Sequence, residues 1–375
     1  MRVGVLTTSY PRGAGDFAGW FVAERVRALL AEGHEVDVLA AGAGAPLGTT
    51  REGRLALTRL PSSFGDADLF AGAGAPEALE AGGLAARWAA ARFSAALAAA
   101  VAARASGWSR VESHWLTPSA LAVVAAAPTL PHHATAHSGD VALLERLPIG
   151  RSLARLLARS GAELAFVSED LRRRFAALAD GLHGVVAPLV SSAPLVRGGP
   201  PAVRSHPAVA ATRASLGVTS PVVMSVARLV PIKGLDLLVR ACARRAGDVA
   251  ALPLVVVGDG PERERLRDLA RGLGVPLRLV GAVPRNDVAA WLSLATVYAQ
   301  PSRTLANGRA EGLPLATLEA LSCGLPAVVS DSGGLAELGA RHPAAVRVVP
   351  AGDVTSLAAA LRAEVLKTGI GVNVL

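Results

Sequence analysis

The chain has 375 residues, 51% of them hydrophobic, with a formal net charge of +8 and a pI near 10.7. That length and apolar content mark a globular protein with a large core and favour two domains. The excess of positive charge comes with no Lys/Arg run interleaved with aromatics, so nucleic acid is not an expected partner; an anionic membrane surface fits better, and a GC-rich coding bias explains the charge equally well. Of the 38 basic residues only Lys233 and Lys367 are lysine.

No span of about 18 apolar residues is free of charge, because the Ala-rich run Leu84–Ala105 carries Arg87, Arg92 and Arg104. Met1 leads directly into a strand pattern, so neither a signal peptide nor a spanning helix is expected. Cys242 and Cys323 make no disulfide framework and have no metal-ligand spacing, which points to a reducing compartment and a cytoplasmic location.

In chain order, a strand at Arg2–Leu6, a helix near Ala18–Glu32 and a strand at Glu35–Leu39 open an alternating α/β pattern with parallel strands. Further strands are predicted at Val111–Ser113, His133–Ala136, Leu164–Val167 and Val185–Pro188, with Ser168 capping the helix that carries Glu169 and Asp170. Residues 188–209 are dense in Pro, Gly and Ser and read as a linker. A second alternation follows, at Val222–Val226, Leu254–Val257, Leu277–Val280, Val297–Ala299, Ala327–Ser330 and Val346–Val349. The expected organisation is a domain at 1–190, a linker at 191–218 and a domain at 219–375. Both domains are Rossmann-like and doubly wound, facing across a cleft that takes the ligand at the carboxyl ends of the strands. The last nine residues, KTGIGVNVL, differ in composition from the rest and suggest a truncated or altered end.

The strongest clue to chemistry is the spacing of Glu311 and Glu319 around the start of a helix in AEGLPLATLEALSCGLP. Pro314 suits a first helical position and Gly324 a helix end, which puts Glu311 in the preceding loop and Glu319 on the second turn. A helix N-terminus flanked by two carboxylates can take a phosphate on its amides and the hydroxyls of a sugar or ribose on its acids. Arg228 and Lys233 follow the strand ending at Val226, at the carboxyl edge where a diphosphate approaches. Lys233 stands out in a chain that otherwise uses arginine, as a requirement for a compact ammonium would explain. The bland reading, two surface cations and a solvated helix face, is the default for each residue taken alone.

Elsewhere, Gly13 and Gly15 in the loop Pro11–Asp16 could let backbone approach a donor phosphate or the acceptor. Neither this loop nor GDGPER at Gly258–Arg263 has the third glycine of a dinucleotide fingerprint, which weakens a dehydrogenase reading. His132 and His133 lack further ligands at a recognisable spacing, and Asp66 and Asp68 fall in a Gly-rich segment read as a solvated loop. No metal and no cofactor are expected.

The segments SYPRGAGDFAGWFVAERVRALLAEGHEVDVLA, HSGDV, FVSEDLRRRF, SVARLVPIKGLDLLVRA, LVVVGDGPERERL and EGLPLATLEALSCGLPAVVSDSGGLAEL together resemble family 4 of the retaining glycosyltransferases, of the GT-B fold. The resemblance spans nearly the whole chain, and its last three segments are the most specific. It implies a metal-independent, retaining hexosyltransferase taking a UDP- or GDP-sugar to a glycan, lipid-linked or small-molecule acceptor, in cell-surface polysaccharide or glycolipid synthesis. It also implies roles. Arg228 and Lys233 neutralise phosphate, Glu311 grips the donor sugar, Glu319 takes the ribose, and His137 lies near the anomeric region. Gly258 and Gly260 form the nucleotide-side turn, and Gly312, Leu313, Pro314 and Leu315 complete donor binding. Asp16 and Asp140 are the acceptor-side candidates. Pro314 replaces the glycine of many relatives. A glycosidase would also use two carboxylates but predicts no phosphate-binding cations. An epimerase or hydrolase on the same fold, or a noncatalytic nucleotide-sugar-binding module, remains the alternative.

Overall fold

A computed structural model describes residues 1–13, 16, 18–65, 67–70, 75, 78–79, 83–181, 183–188, 207–216, 222–244 and 251–367. The chain divides into two compact units, Met1–Pro188 and Leu189–Leu375. Among the described residues of the expected linker, the stretch from 207 to 216 forms a helix, Pro207–Leu216.

The first unit is built on strands β1 (Arg2–Thr7), β2 (Glu35–Ala41), β3 (Gly48–Glu52), β4 (Leu55–Leu60), β5 (Ser63–Phe64), β6 (Ala67–Asp68), β7 (Arg110–His114), β8 (His132–Ala136), β9 (Glu163–Phe166) and β10 (Val185–Val186). Eight of them form one sheet in the order β10-β9-β8-β7-β1-β2-β4-β3, while β5 and β6 pair separately. All neighbours in the large sheet run parallel except β3 and β4, an antiparallel hairpin at its edge. Side chains alternate across the sheet, so β1 sends Val3 and Val5 to one core, with Val22, Val26 and Leu29 of the Trp20–Ala31 helix, and Leu6 to the other. That second core takes Phe93, Leu97 and Val101 from the Gly83–Arg104 helix. By length and composition this helix could cross a membrane, yet Ala86, Ala89, Phe93, Leu97 and Ala100 are buried at helical spacing, so it serves as a core helix here.

The second unit carries β11 (Val223–Val226), β12 (Leu254–Val257), β13 (Leu277–Gly281), β14 (Val297–Gln300), β15 (Ala327–Ser330) and β16 (Val346–Val349). They form a fully parallel sheet in the order β13-β12-β11-β14-β15-β16. Counted within the unit this is 3-2-1-4-5-6, the order of dinucleotide-binding sheets, and its direction reverses between β11 and β14. Strands buried on both faces read as near-continuous apolar runs, as LVVV of β12 does with all four residues buried. The Val354–Leu366 helix, capped by the Asp353 carboxylate on the amides of Thr355 and Ser356, adds Leu357, Leu361 and Val365 to the core.

Candidate active site

At the reversal point of the second unit, the loops following β11 and β14 meet. After β11 the chain makes a short 3-10 turn, Pro231–Lys233, and enters the Leu235–Ala243 helix through Gly234, whose φ is +64°. A Cβ at Gly234 would sit 2.0 Å from the carbonyl oxygen of Pro301, so glycine lets the two loops touch. Two further contacts lock them together. The amide of Arg303 donates to the Ile232 carbonyl at 2.9 Å, and the Arg303 guanidinium pairs with Asp236 on the first turn of the helix.

This packing brings Lys233 and Glu311 together: Nζ lies 2.9 Å from Oε1, and each side chain is 13% exposed. Arg228, half-buried on the same turn, has no side-chain hydrogen bond or ion pair among the described residues. Two cations and a carboxylate thus occupy the carboxyl edge at the crevice where such sheets bind phosphorylated ligands. Glu311 is held from behind as well, since its carbonyl accepts from the amide of Gly334 at 3.3 Å. The floor is a buried polar chain along β14, with Tyr298 Oη donating to Gln300 Oε1 and Gln300 Nε2 to Ser302 Oγ, both at 2.8 Å.

Pro314 caps the Leu315–Ser322 helix from the position before its first residue, one earlier than expected, and Gly324 follows its end at φ +75°. Gly312, Leu313 and Pro314 are buried and Leu315 opens the helix. Glu319 does lie on the second turn, but it is 1% exposed and ion-paired with Arg285, from the turn after β13. Its carboxylate therefore has a cationic partner within the protein before any ligand binds. Burial pushes the Arg285 guanidinium down to about 10. Gly258 and Gly260 adopt φ of +133° and +158°, and a Cβ at Gly258 would lie 2.0 Å from the Ala227 carbonyl oxygen. They press the β12 loop onto the β11 loop, with Leu229 N donating to Asp259 O at 2.9 Å, a role in loop packing that composition alone did not reveal.

In the first unit the sheet reverses between β1 and β7, and the loops there hold the remaining candidates. His137, after β8, is buried, with Nε2 3.1 Å from Nδ1 of His114 at the end of β7. Phe21 and Trp115 pack on the His137 ring at centroid distances of 4.6 and 4.9 Å. Asp140 is 2% exposed and accepts from the amides of Leu116, His137, Ser138 and Val141. Burial raises its pKa against those four amides. So engaged, it ties the β7 and β8 loops together. Asp16 accepts from the amides of Arg12 and Ala18 and ion-pairs with the Arg12 guanidinium at 2.5 Å. Burial raises its pKa, but these bonds outweigh that and hold it below the usual carboxylate range. The buried Arg59 guanidinium donates to Tyr10 and Pro11 carbonyls, so the loop after β1 is pinned from two sides. Gly13 lies in this loop with nothing within 4 Å of a Cβ; Gly15 falls outside the described residues. Asp68 ends β6 half-buried and accepts from Ser62 Oγ and the amide of Phe70, so it is a bonded strand residue rather than part of a solvated loop, and Asp66 lies outside the described residues. His132 bonds Ser113 Oγ at 2.7 Å, a structural contact.

Arg285 and His114 escaped the sequence reading. Each stands at a strand's carboxyl end, the same positional signal that singled out His137 and Arg228.

The two units share their fold with sucrose-phosphate synthase from Thermosynechococcus elongatus, at a TM-score of 0.75 and 19% identity over 98% of this chain and 90% of that one. That is the GT-B class of fold. Residues 211–367, in the second unit, match the model of the family described as glycosyl transferases group 1. It is 36% identical over 195 residues to a GDP-mannose-dependent alpha-(1-6)-phosphatidylinositol monomannoside mannosyltransferase of Mycolicibacterium smegmatis, covering 51% of this chain and 50% of the relative. It is 35% identical over 141 residues to an amylovoran biosynthesis glycosyltransferase of Erwinia amylovora, covering 37% and 34%. The chain spans about half the length of the curated relatives it matches.

Proposed function

We propose that this protein moves a hexose from a nucleoside-diphosphate sugar to a glycan, lipid-linked or small-molecule hydroxyl, with retention of anomeric configuration and without a metal ion. The observation that carries this reading is the placement of Arg228, Lys233 and Glu311 at the reversal point of a 3-2-1-4-5-6 sheet. A departing diphosphate already carries a negative charge on each phosphate and gains one more as the anomeric C–O bond breaks, and two preorganised cations beside it can balance that charge as a metal ion would. Glu311 accepts from a hydroxyl of the transferred sugar and fixes its orientation while its neighbour Lys233 turns to the phosphate. The acceptor oxygen attacks on the face the leaving group departs from, its proton passes to a donor phosphate oxygen, and the nucleoside diphosphate leaves as the new glycosidic bond forms. His137 contributes a neutral hydrogen bond to a sugar hydroxyl.

The mannosyltransferase relative supports a GDP-mannose donor and a lipid-linked acceptor as the first pair to assay. Cytoplasmic location with peripheral attachment to the inner membrane face is consistent with two free, buried cysteines and with the exposed Trp88, Leu84 and Phe64 beside Arg87 and Arg92. Turnover with GDP-mannose or UDP-sugars and an acceptor panel tests the reading, and activity is expected to persist in excess chelator. Loss in chelator that a divalent ion restores rejects the metal-free mechanism, and donor binding without any product rejects transfer.

A further inference from the structure

His114 ends β7 and His137 follows its neighbour β8, so adjacent parallel strands deliver two imidazoles to one spot at the carboxyl edge. Their ring centroids are 5.3 Å apart and the planes are tilted by 33°. Phe21 and Trp115 flank the His137 ring, while Phe21 also meets His114 edge-on at 5.8 Å. The contact joins Nδ1 of His114 to Nε2 of His137 at 3.1 Å, and the two outer nitrogens, Nε2 of His114 and Nδ1 of His137, are buried without a protein partner.

The chemistry of two neutral imidazoles restricts this arrangement to two states. If His114 donates from Nδ1, His137 accepts at Nε2 and carries its own proton on Nδ1. If His137 donates from Nε2, His114 accepts at Nδ1 and carries its proton on Nε2. In both states the two rings hold their protons on the same-named nitrogen, and the pair presents one donor and one acceptor at its outer ends. Any mixed combination sets two protons or two lone pairs against each other. Burial keeps both rings neutral at pH 7, His114 at about 4 and His137 well below the ordinary imidazole range.

We infer that His114 is a positioning residue, which holds His137 in one orientation and ties its tautomer to its own, so that Nδ1 of His137 meets a sugar hydroxyl as a hydrogen-bond partner fixed in place. This rests on the glycosyl transfer proposed above, and it adds a residue to which neither the family match nor the relatives' names assign anything. The outer nitrogen of His137, buried and unpartnered in the free protein, is the group left for the ligand, because an imidazole not held by a second bond would turn or exchange tautomers.

The test has a spectroscopic arm and a kinetic arm. Long-range 15N–1H correlation on the full chain with 15N-labelled histidine, assigned with His114→Asn and His137→Asn, is expected to find both rings in the same tautomer. Opposite tautomers, or averaging of one ring while the other holds a single tautomer, overturn the inference whether or not an assay exists. Kinetically, His114→Leu removes the bond and is expected to lower kcat at least ten-fold with donor KM within two-fold, while His114→Asn, whose side-chain amide can stand in for Nδ1, restores most of kcat. Equal kcat in the Leu variant and wild type removes the positioning role; so does a loss that Asn fails to restore in a protein of unchanged stability. Unchanged kcat in His137→Leu would instead locate the error in the assignment of His137 to transfer, and the inference falls with it.

Discussion

Lys233 and Glu311 form a pair in which each group keeps the other in place, and under the proposed transfer the two substitutions should differ in kind. Lys233→Ala and Arg228→Ala each remove a preorganised charge from the leaving diphosphate and should lower kcat/KM roughly 100-fold, about 3 kcal/mol, in steady-state assays. Retention of near-wild-type kinetics by both would place the donor phosphates elsewhere. Glu311→Gln should depress kcat through a misplaced sugar. Glu319 behaves otherwise, because Arg285 lies on it in the buried interior of the site. Removing one partner of a buried pair strands the other, so Glu319→Gln should destabilise the second unit by about 3–5 kcal/mol in urea unfolding, and Arg285→Leu in the same chain should recover part of it. An unaltered midpoint in the single variant would show that the pair carries no structural role. The spacing of Glu311 and Glu319 was legible because both belong to one loop and helix. Arg285 was not, because it reaches Glu319 from the loop after β13, and no local pattern encodes a partner brought in by strand order.

Strand ends explain both what the sequence disclosed and what it withheld. The parallel strands announced themselves as apolar runs, and their carboxyl ends pointed to Arg228 and His137. The edge hairpin β3–β4 did not, since β3, GTTRE, is exposed throughout and shows no apolar face. Within β7 and β8, burial of histidines makes a pH dependence. His114 and His132 are pushed from 6.5 down to about 4 by burial, so between those values the unfolded chain binds protons that the folded chain refuses. Stability should therefore fall as pH drops through 6.5 and level off near 4, with no contribution above 6.5. At pH 5 each histidine should cost about 2 kcal/mol. Trp20, Trp88, Trp108 and Trp115 all lie in the first unit and Trp291 alone in the second, so fluorescence-detected urea unfolding at pH 7.5 and 5 reports mainly on the first unit. His132→Gln should flatten the dependence by one histidine's share, and a pH-independent midpoint would contradict the burial argument.

At the scale of the molecule, the aromatic residues that lie close to arginines in the first unit separate into two groups. Phe21 packs within the histidine cluster, and Trp20 stacks under Arg27 at 4.2 Å with its indole nitrogen buried. Phe17 lies outside the described residues. Arg12 and Arg25 are engaged by Asp16 and Glu112. Trp88, by contrast, is 60% exposed and stacked on the exposed Phe64 at 6.2 Å. An apolar pair beside arginines suits an anionic lipid surface. The protein should co-sediment with vesicles containing anionic lipid at moderate salt and not with neutral ones, and Trp88→Ser with Arg92→Glu should weaken that binding. Equal recovery with both vesicle types, or with neither, removes membrane attachment through this surface.

The boundary at Pro188 has a consequence for recombination between related proteins. Lys233 and Glu311, Arg285 and Glu319, Arg303 and Asp236 are all partners within Leu189–Leu375, whereas the His114–His137 pair and the Asp140 carboxylate with its four amides lie wholly within Met1–Pro188. A chimera joined at that boundary inherits every one of these pairings intact. One joined between Gly234 and Glu311 would take the lysine from one parent and its carboxylate from the other, with the intervening strands β12, β13 and β14 having to fit both. The pairings of each unit are thus inherited as a block, and exchange at the boundary recombines the units without separating any partner from its own.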